Sequence, residues 1–332
     1  MGSHRLLKKV ERAGSRSANK PSTSSPEPRA PKPGTKPTRP PVAKAVAWAS
    51  DGCLVVLVAR GGTPACIRLG PNRRLVGDAL PAVAGALRVG VLPSGAVVTL
   101  ARNGKGVLAH DGKTRRANVP FRVQELVVCE GIAYASGSDR SIARLDEATA
   151  TWVDMRLAEA TKPLLKKQEA EVDAAHSITA GANGPIVAVF ANTYQKSLIM
   201  EWTGTSWHKR GEAAQTNAIA RAPREDVVYA VGATVTAITK NGKARELPAF
   251  DGEKLWGCGW IDGPRRGLLA STLSTVHRVA ANGACTEVLP RAPREHAPHN
   301  HSLFTSGADA AFVRGGNVYV LQGDTFVLTP LA

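Results

Sequence analysis

AVAWASDG, residues 45 to 52, joins a short apolar run to an Asp-Gly turn, and this combination recurs along the chain. Asp-Gly, Asn-Gly and Gly-Gly pairs adopt the backbone conformations that tight turns between antiparallel strands require. Such pairs occur at Asp51-Gly52, Gly61-Gly62, Asn103-Gly104, Asp111-Gly112, Asn241-Gly242, Asp262-Gly263, Asn282-Gly283 and Gly315-Gly316. The intervening runs are rich in Val, Ile, Ala and Thr, which favour strands. The pattern therefore predicts an all-β protein, with helix expected only between Leu157 and Ala175.

Stretches that correspond to AVAWASDG recur at a longer period. They are LRVGVLPSG, QELVVCEG, HSITAGANG, NAIARAPRED, WGCGWIDG and HSLFTSGAD, which begin at Leu87, Gln124, His176, Asn217, Trp256 and His301. Successive starting points lie 37 to 52 residues apart, and the longest interval contains the polar insertion LAEATKPLLKKQEAEVDAA, residues 157–175. A period of this length is typical of a unit of four antiparallel strands. The sequence therefore predicts seven such units.

The chain from residue 45 to residue 332 resembles a β-propeller of the Kelch or WD40-like kind. Blades of such proteins often show a strand, a turn, and a last strand introduced by Gly and Trp, as in SLIMEWTGTSWHKRG at residues 197–211. Similar outlines are GVLAHDGKTRRANVP, SIARLDEATATWVDM and VTAITKNGKARELP, whereas the Trp-Asp dipeptide of WD40 repeats and the paired glycines of Kelch repeats are absent. The resemblance implies seven blades in a ring, each covering the apolar faces of its neighbours.

The two ends of the repeated region indicate how such a ring closes. The last unit contains four candidate strands, at residues 301–305, 309–314, 317–321 and 325–329, and the first unit is expected to be complete from Ala45 to Val76. No strand needs to be exchanged between the termini. We therefore expect closure by apolar packing between the first and last blades.

Residues 1–44 differ from the remainder in composition and form a separate segment. They contain eight of the 22 prolines and, apart from two glutamates, only basic charges, so they contribute +9 of the net charge of +16. The basic residues are Arg5, Lys8, Lys9, Arg12, Arg16, Lys20, Arg29, Lys32, Lys36, Arg39 and Lys44. A segment with so few apolar residues cannot form a core. We expect a disordered tail that binds a polyanion, such as nucleic acid, without sequence preference. A spacer without binding function is the alternative.

Four histidines are candidate metal ligands. His176 and His301 occupy the same repeat position, at the start of an innermost strand, where side chains are expected to reach the mouth of a central channel. His296 and His299 lie on the loop before His301. Neutral imidazoles that converge on a channel can bind zinc or another transition metal. Units four and seven lie well apart in a ring of seven, so polar loop histidines without a metal are the favoured interpretation.

Other features of the sequence exclude several classes of protein. There is no G-x-S-x-G nucleophile motif and no run of 18 apolar residues, so neither that class of hydrolase nor a transmembrane helix is expected. The five cysteines form no C-x-x-C pair, which favours buried free thiols in a reducing, cytoplasmic compartment. The six tryptophans fall on predicted strands, where most should fill gaps between blades.

These features favour a non-catalytic interaction module without a cofactor. Its loop faces would bind a protein partner, its tail would contact nucleic acid, and the propeller would be monomeric within a larger assembly. The alternative is a propeller enzyme of the lyase or lactonase type with a channel metal. Fold alone does not distinguish the two, because propellers support both binding and catalysis.

Overall fold

The computed structural model describes residues 41–165, 174–191, 196–247, 254–273, 275–280, 284–290 and 302–331. These residues form seven four-stranded antiparallel sheets, and in each sheet the strands are neighbours in the order in which they follow along the chain. The predicted seven-bladed β-propeller is therefore confirmed. No strand is exchanged between the first and the last blade among these residues.

The strands are numbered β1 to β28 in chain order, four to a blade. Blade 1 contains β1 (Val42–Trp48), β2 (Leu54–Arg60), β3 (Thr63–Leu69) and β4 (Leu80–Pro81). Blade 2 contains β5 (Ala86–Val91), β6 (Val97–Ala101), β7 (Gly106–His110) and β8 (Lys113–Arg116). Blade 3 contains β9 (Val123–Cys129), β10 (Ile132–Gly137), β11 (Ile142–Asp146) and β12 (Thr151–Asp154). Blade 4 contains β13 (Ala175–Ala180), β14 (Pro185–Ala191), β15 (Lys196–Trp202) and β16 (Trp207–Ala214).

The remaining blades follow the same plan. Blade 5 contains β17 (Thr216–Ala222), β18 (Val227–Gly232), β19 (Val235–Ile238) and β20 (Ala244–Leu247). Blade 6 contains β21 (Gly257–Ile261), β22 (Gly267–Ser271), β23 (Val276–Val279) and β24 (Cys285–Leu289). Blade 7 contains β25 (Ser302–Ser306), β26 (Asp309–Arg314), β27 (Asn317–Gln322) and β28 (Thr325–Thr329).

The first strand of each blade contacts the first strands of both neighbouring blades, and β25 contacts β1 to close the ring. We call the face at which these innermost strands begin the front face, and the face at which they end the rear face. Because the strands of a blade alternate in direction, the turn between the second and third strands and the connection to the next blade lie on the front face. The other two turns of each blade lie on the rear face.

The core consists of apolar clusters between adjacent blades, with one cluster at each of the seven boundaries in the described part of the chain. The boundary between blades 7 and 1 joins Val46 and Val56 to Val313 and Val320, and all four side chains are fully buried. The Ala43 amide also donates a hydrogen bond to the Gly316 carbonyl across this boundary, at 2.8 Å. Apolar packing therefore closes the ring, as expected.

Two boundaries of elements differ from the sequence prediction. The first strand begins at Val42, three residues earlier than expected, and the last strand of blade 1 is the short β4, beyond the expected end at Val76. Leu75 and Val76 instead lie in an exposed loop, where each side chain is about half exposed (52% and 47%).

The region predicted to contain a helix follows β12. It contains α1 (Leu157–Thr161) and a single 3-10 turn at Lys162–Leu164. Leu157 is fully buried in the cluster between blades 3 and 4, which anchors the start of the insertion. Residues 166–173 lie outside the described part. Among the described residues, none of the helices has the length and apolar character that crossing a lipid bilayer requires.

Candidate functional site

The innermost strands of all seven blades line a central channel with a volume of about 490 Å³. Three of the six tryptophans line it, Trp48, Trp256 and Trp260. Five of the six, all except Trp256, pack against apolar clusters between blades, as predicted. The indole nitrogens of Trp152 and Trp207 donate to backbone carbonyls at 2.9 and 2.7 Å, and Trp202 packs edge to face on Trp207. The channel is therefore more aromatic than the sequence led us to expect.

Two of the channel tryptophans, Trp260 and Trp48, are covered by other side chains. Trp260 stacks on Tyr229, with ring centroids 5.7 Å apart, and the Arg266 guanidinium lies 5.8 Å from the Trp260 ring centroid. Its indole nitrogen donates to the Asp262 carboxylate at 3.2 Å. The Arg73 guanidinium lies 4.9 Å from the Trp48 ring centroid. Neither ring is freely available to a partner, so these contacts stabilise the channel wall.

Trp256, at the front mouth of the channel, is different because it is 44% exposed. Its amide donates to the Ser271 carbonyl at 2.8 Å, which fixes its backbone to the end of β22. Leu273, two residues after Ser271, is 43% exposed, and the Lys254 ammonium lies 4.8 Å from the Trp256 ring centroid. Two large apolar side chains and one cation thus form an exposed corner of blade 6, which we call the Trp256 corner.

Two charged residues of the channel wall form local ion pairs. Glu125 forms an ion pair with Arg88 at 2.9 Å near the front, and Arg221 forms one with Asp226 at 2.9 Å near the rear. Asp226 also binds Arg210, whose side chain is only 1% exposed and which pairs with Glu201 as well. Burial raises the pKa of Asp226, but the hydrogen bonds and charges of Arg221 and Arg210 outweigh it and lower the pKa overall.

His176 does not occupy the predicted position at the channel mouth. Its ring stacks on Phe190 of β14, with centroids 3.6 Å apart and planes 9° from parallel, and it is not among the residues that line the channel. Its two ring nitrogens are buried, and burial lowers the pKa of His176 to about 4.

His176 lies at a β-bulge. Ala175 and Ser177 pair with consecutive residues of β14, so His176 is an extra residue in the strand. Blades 1, 2, 3 and 5 have a bulge at the same position, with Lys44, Leu87, Gln124 and Asn217 as the extra residues. A bulge redirects one side chain relative to regular strand alternation. A bulge leaves no signal in the repeat spacing, so sequence reasoning missed it.

The remaining candidate metal ligands, His296, His299 and His301, lie outside the described residues. So do ten of the eleven basic residues assigned to the tail: Arg5, Lys8, Lys9, Arg12, Arg16, Lys20, Arg29, Lys32, Lys36 and Arg39. The eleventh, Lys44, lies on β1 and is half-buried. Within the described ranges, no three His, Cys, Asp or Glu side chains lie close enough together to hold a metal ion.

The five cysteines are not uniformly buried as predicted. Cys53, Cys66 and Cys129 are buried, Cys258 is half-buried, and Cys285 is exposed because it lies on β24, the outermost strand of blade 6. Burial raises the pKa of the Cys66 thiol to about 12.

Comparison with known proteins identifies the class of protein by fold alone. No protein-family model matches the chain, and no curated protein matches it in sequence. Hydrazine synthase from Kuenenia stuttgartiensis has a similar structure, with a TM-score of 0.60 and 11% identity over 88% of this chain and 99% of that chain.

Two further solved structures are similar. A catalytically inactive virginiamycin B lyase from Staphylococcus aureus, solved with quinupristin, has a TM-score of 0.55 and 15% identity, covering 74% of this chain and 84% of that one. KlAtg21, solved in complex with the coiled coil of AgAtg16, has a TM-score of 0.58 and 9% identity, covering 87% and 98% of the two chains. At these identities the comparison shows that the chain is a β-propeller and shows nothing about its activity.

Proposed function

We propose that this propeller is a non-catalytic interaction module, and that the Trp256 corner on its front face binds a protein partner. The observation that carries the proposal is the exposure of Trp256 (44%) and Leu273 (43%) on the same corner of blade 6. Tryptophan is enriched among the residues that dominate binding energy at protein interfaces. A similar propeller, KlAtg21, was solved in complex with a coiled coil, so the fold is compatible with this role.

The chemistry of the corner defines the kind of partner. An apolar side chain would cover the open surface of the indole and of Leu273, and a carboxylate would pair with the Lys254 ammonium beside the ring. The backbone hydrogen bond from Trp256 to Ser271 fixes the position of the backbone that carries the indole before binding. A rigid anchor loses little conformational entropy when a partner binds.

The test compares two single variants of the full chain in co-purification from the native cell. Trp256→Ala should reduce the recovery of the specific partner at least tenfold, since an interface tryptophan of this kind typically contributes about 2 kcal/mol or more. Leu328→Ala removes a side chain that is 53% exposed on the outer strand of blade 7 and is the matched control. Equal recovery of the same partners by both variants and by the unchanged protein would disprove the proposal.

We propose in addition that residues 1–44 contact nucleic acid, because +9 of the net charge lies in this segment. Lysine and arginine neutralise phosphates and release condensed counterions whether or not the segment folds. A full-length variant with the ten basic residues from Arg5 to Arg39 changed to glutamine should bind DNA and RNA more weakly at low salt; Lys44 stays unchanged because it belongs to β1. If this variant binds DNA and RNA as tightly as the unchanged protein, the segment acts only as a spacer and the proposal is wrong.

The alternative, an enzyme with a channel metal, now depends on His296, His299 and His301, because His176 stacks on Phe190 instead of facing the channel. Elemental analysis of the purified protein tests it. One zinc or iron per chain that is lost in His301→Ala would favour this alternative over the interaction module.

A further inference from the structure

Basic charge in the propeller is concentrated in one blade. Residues 82–122, which comprise blade 2 and its flanking connections, contain seven Lys or Arg and a single acidic residue, Asp111. Their net charge is +6, whereas residues 45–332 together carry about +7. The other six blades are therefore close to neutral in total, so blade 2 is a separate feature from the basic N-terminal segment.

The front of blade 2 holds four of these cations on one backbone ribbon. After β8 the chain runs back along the turn between β6 and β7, and three backbone hydrogen bonds join the two segments. The Ala117 amide donates to the Gly106 carbonyl at 3.0 Å, Val119 to Gly104 at 2.8 Å, and Val123 to Arg102 at 2.9 Å. We call these two segments the blade 2 ribbon. It carries four cations, Arg102, Lys105, Arg116 and Arg122.

The ribbon is tightly built. The Gly106 amide donates to the Asn118 side-chain oxygen at 3.0 Å, which adds a fourth hydrogen bond between the segments. Gly104 has φ +85°, and a Cβ atom there would lie only 2.4 Å from the Val119 carbonyl oxygen. This close approach admits no larger residue, and it holds the backbone that carries the four cations in one arrangement.

The four cations are exposed. None of their side chains lies within 4.0 Å of a carboxylate among the residues that the structure describes, unlike Arg88, Arg210 and Arg221, which each have an acidic partner. Exposed cations that share a rigid backbone and lack internal partners suit a ligand with several regularly spaced negative charges.

We propose that the blade 2 ribbon binds the phosphate backbone of duplex nucleic acid. A duplex presents phosphates from two strands at high density, so several cations can bind at once. Single-stranded nucleic acid is usually held by aromatic side chains that stack on bases. The aromatic side chain on the ribbon, Phe121, packs against the apolar cluster between blades 2 and 3. The ribbon thus supplies phosphate contacts and no surface for stacking.

The experiment measures binding of the full chain to a short fluorescent DNA duplex at several salt concentrations. The test variant combines Arg102→Gln, Lys105→Gln, Arg116→Gln and Arg122→Gln. The matched control combines Arg224→Gln, Lys240→Gln, Lys243→Gln and Arg245→Gln, which removes the same charge from blade 5. Circular dichroism confirms that each variant is folded.

We expect the test variant to lose at least tenfold in affinity at low salt and the control to lose much less. The slope of log affinity against log salt should become shallower by about 3.6 in the test variant, because four phosphate contacts are lost. If both variants lose the same affinity for the duplex, binding depends on net charge and not on the ribbon, and the proposal is wrong. Tighter binding to single-stranded DNA, to an acidic peptide or to vesicles with anionic lipids than to the duplex would overturn it as well.

This inference is independent of the one made for residues 1–44, and the same assay separates them. If only the variant with a neutralised tail loses affinity, the ribbon proposal fails and the tail proposal stands. If only the ribbon variant loses affinity, the reverse holds.

Discussion

Arg210 carries a charge on a side chain that is almost completely buried between blades 4 and 5. Its guanidinium lies 2.9 Å from a Glu201 oxygen and 3.1 Å from an Asp226 oxygen. Loss of one member of such a group leaves the other charges buried without compensation, and that loss costs more than the intact pair contributes. The group therefore couples the two blades through charge as well as through apolar contact.

We predict that Arg210→Met lowers the free energy of unfolding by about 3 kcal/mol, because Glu201 loses its buried cationic partner while Asp226 keeps Arg221. Lys240→Met is the control, because the Lys240 side chain is 83% exposed and lies 3.9 Å from Asp226. Urea denaturation measures both variants. A smaller effect for Arg210→Met than for Lys240→Met would contradict this account.

The buried imidazole of His176 should make the stability of the protein depend on pH. Burial lowers its pKa from 6.5 to about 4, so the unfolded chain binds a proton between these values while the folded chain does not. Stability should therefore be constant above pH 6.5 with respect to this group and should fall as the pH decreases toward 4, by up to about 3 kcal/mol.

His176→Phe supplies the comparison, because phenylalanine keeps the ring stack on Phe190 and cannot titrate. Denaturation at pH 7, 5.5 and 4.5 should show a smaller acid-dependent loss of stability in His176→Phe than in the unchanged protein. Parallel pH profiles would show that His176 is not the group responsible.

At the scale of elements, the turn between β26 and β27 forms a contact that joins blade 7 to blade 1. Gly316 in this turn has φ +82°, and a Cβ atom there would lie 2.6 Å from a methyl group of Val42. Gly323, in the next turn, has φ +60°, and a Cβ atom there would have no other atom within 4 Å. The two glycines share a left-handed backbone and differ in the space around them.

We predict that Gly316→Ala destabilises the protein more than Gly323→Ala. Both variants incur the cost of a left-handed alanine, about 1 to 2 kcal/mol, and Gly316→Ala also forces the turn away from Val42. Adding Val42→Ala to Gly316→Ala should recover part of the difference in melting temperature. If the two glycine variants are equally stable, the contact with β1 contributes nothing to closure.

The elements that sequence reasoning placed correctly are those with a local signal. Each of the seven innermost strands begins within a few residues of its predicted start, because an apolar run and a turn pair mark it. The sequence did not predict β4, because a strand of two residues after a loop with Pro, Asn and Gly shows no alternation of apolar and polar residues. The bulge at His176 and the positions of Trp48, Trp256 and Trp260 depend on contacts with neighbouring blades. A strand pattern alone contains no such information.

At the scale of the whole molecule, the polar insertion after blade 3 connects two blades that are held together by apolar contacts. Leu157, Ile178 and Val187 belong to the same buried cluster, which joins blades 3 and 4. We predict that trypsin cleaves within the basic segment before β1 and after Lys166 or Lys167, and then stops, because the bond after Lys162 precedes Pro163 and resists trypsin. The two large fragments should elute together in size-exclusion chromatography and separate only under denaturing conditions. Fragments that elute as two independent folded halves would disprove a single ring.

The consecutive arrangement of strands within each blade has a consequence for how the chain tolerates rearrangement. The boundary between blades 7 and 1, where Leu331 packs beside Val46 and Val313, is an apolar contact of the same kind as the other six boundaries. The polypeptide therefore needs no particular blade to come first. A circular permutant that joins residue 331 to residue 41 through a short linker and begins at Ala175 should form the same ring, because every hairpin stays intact. By the same reasoning, such a gene can gain or lose a complete blade by duplication or deletion without dividing a sheet.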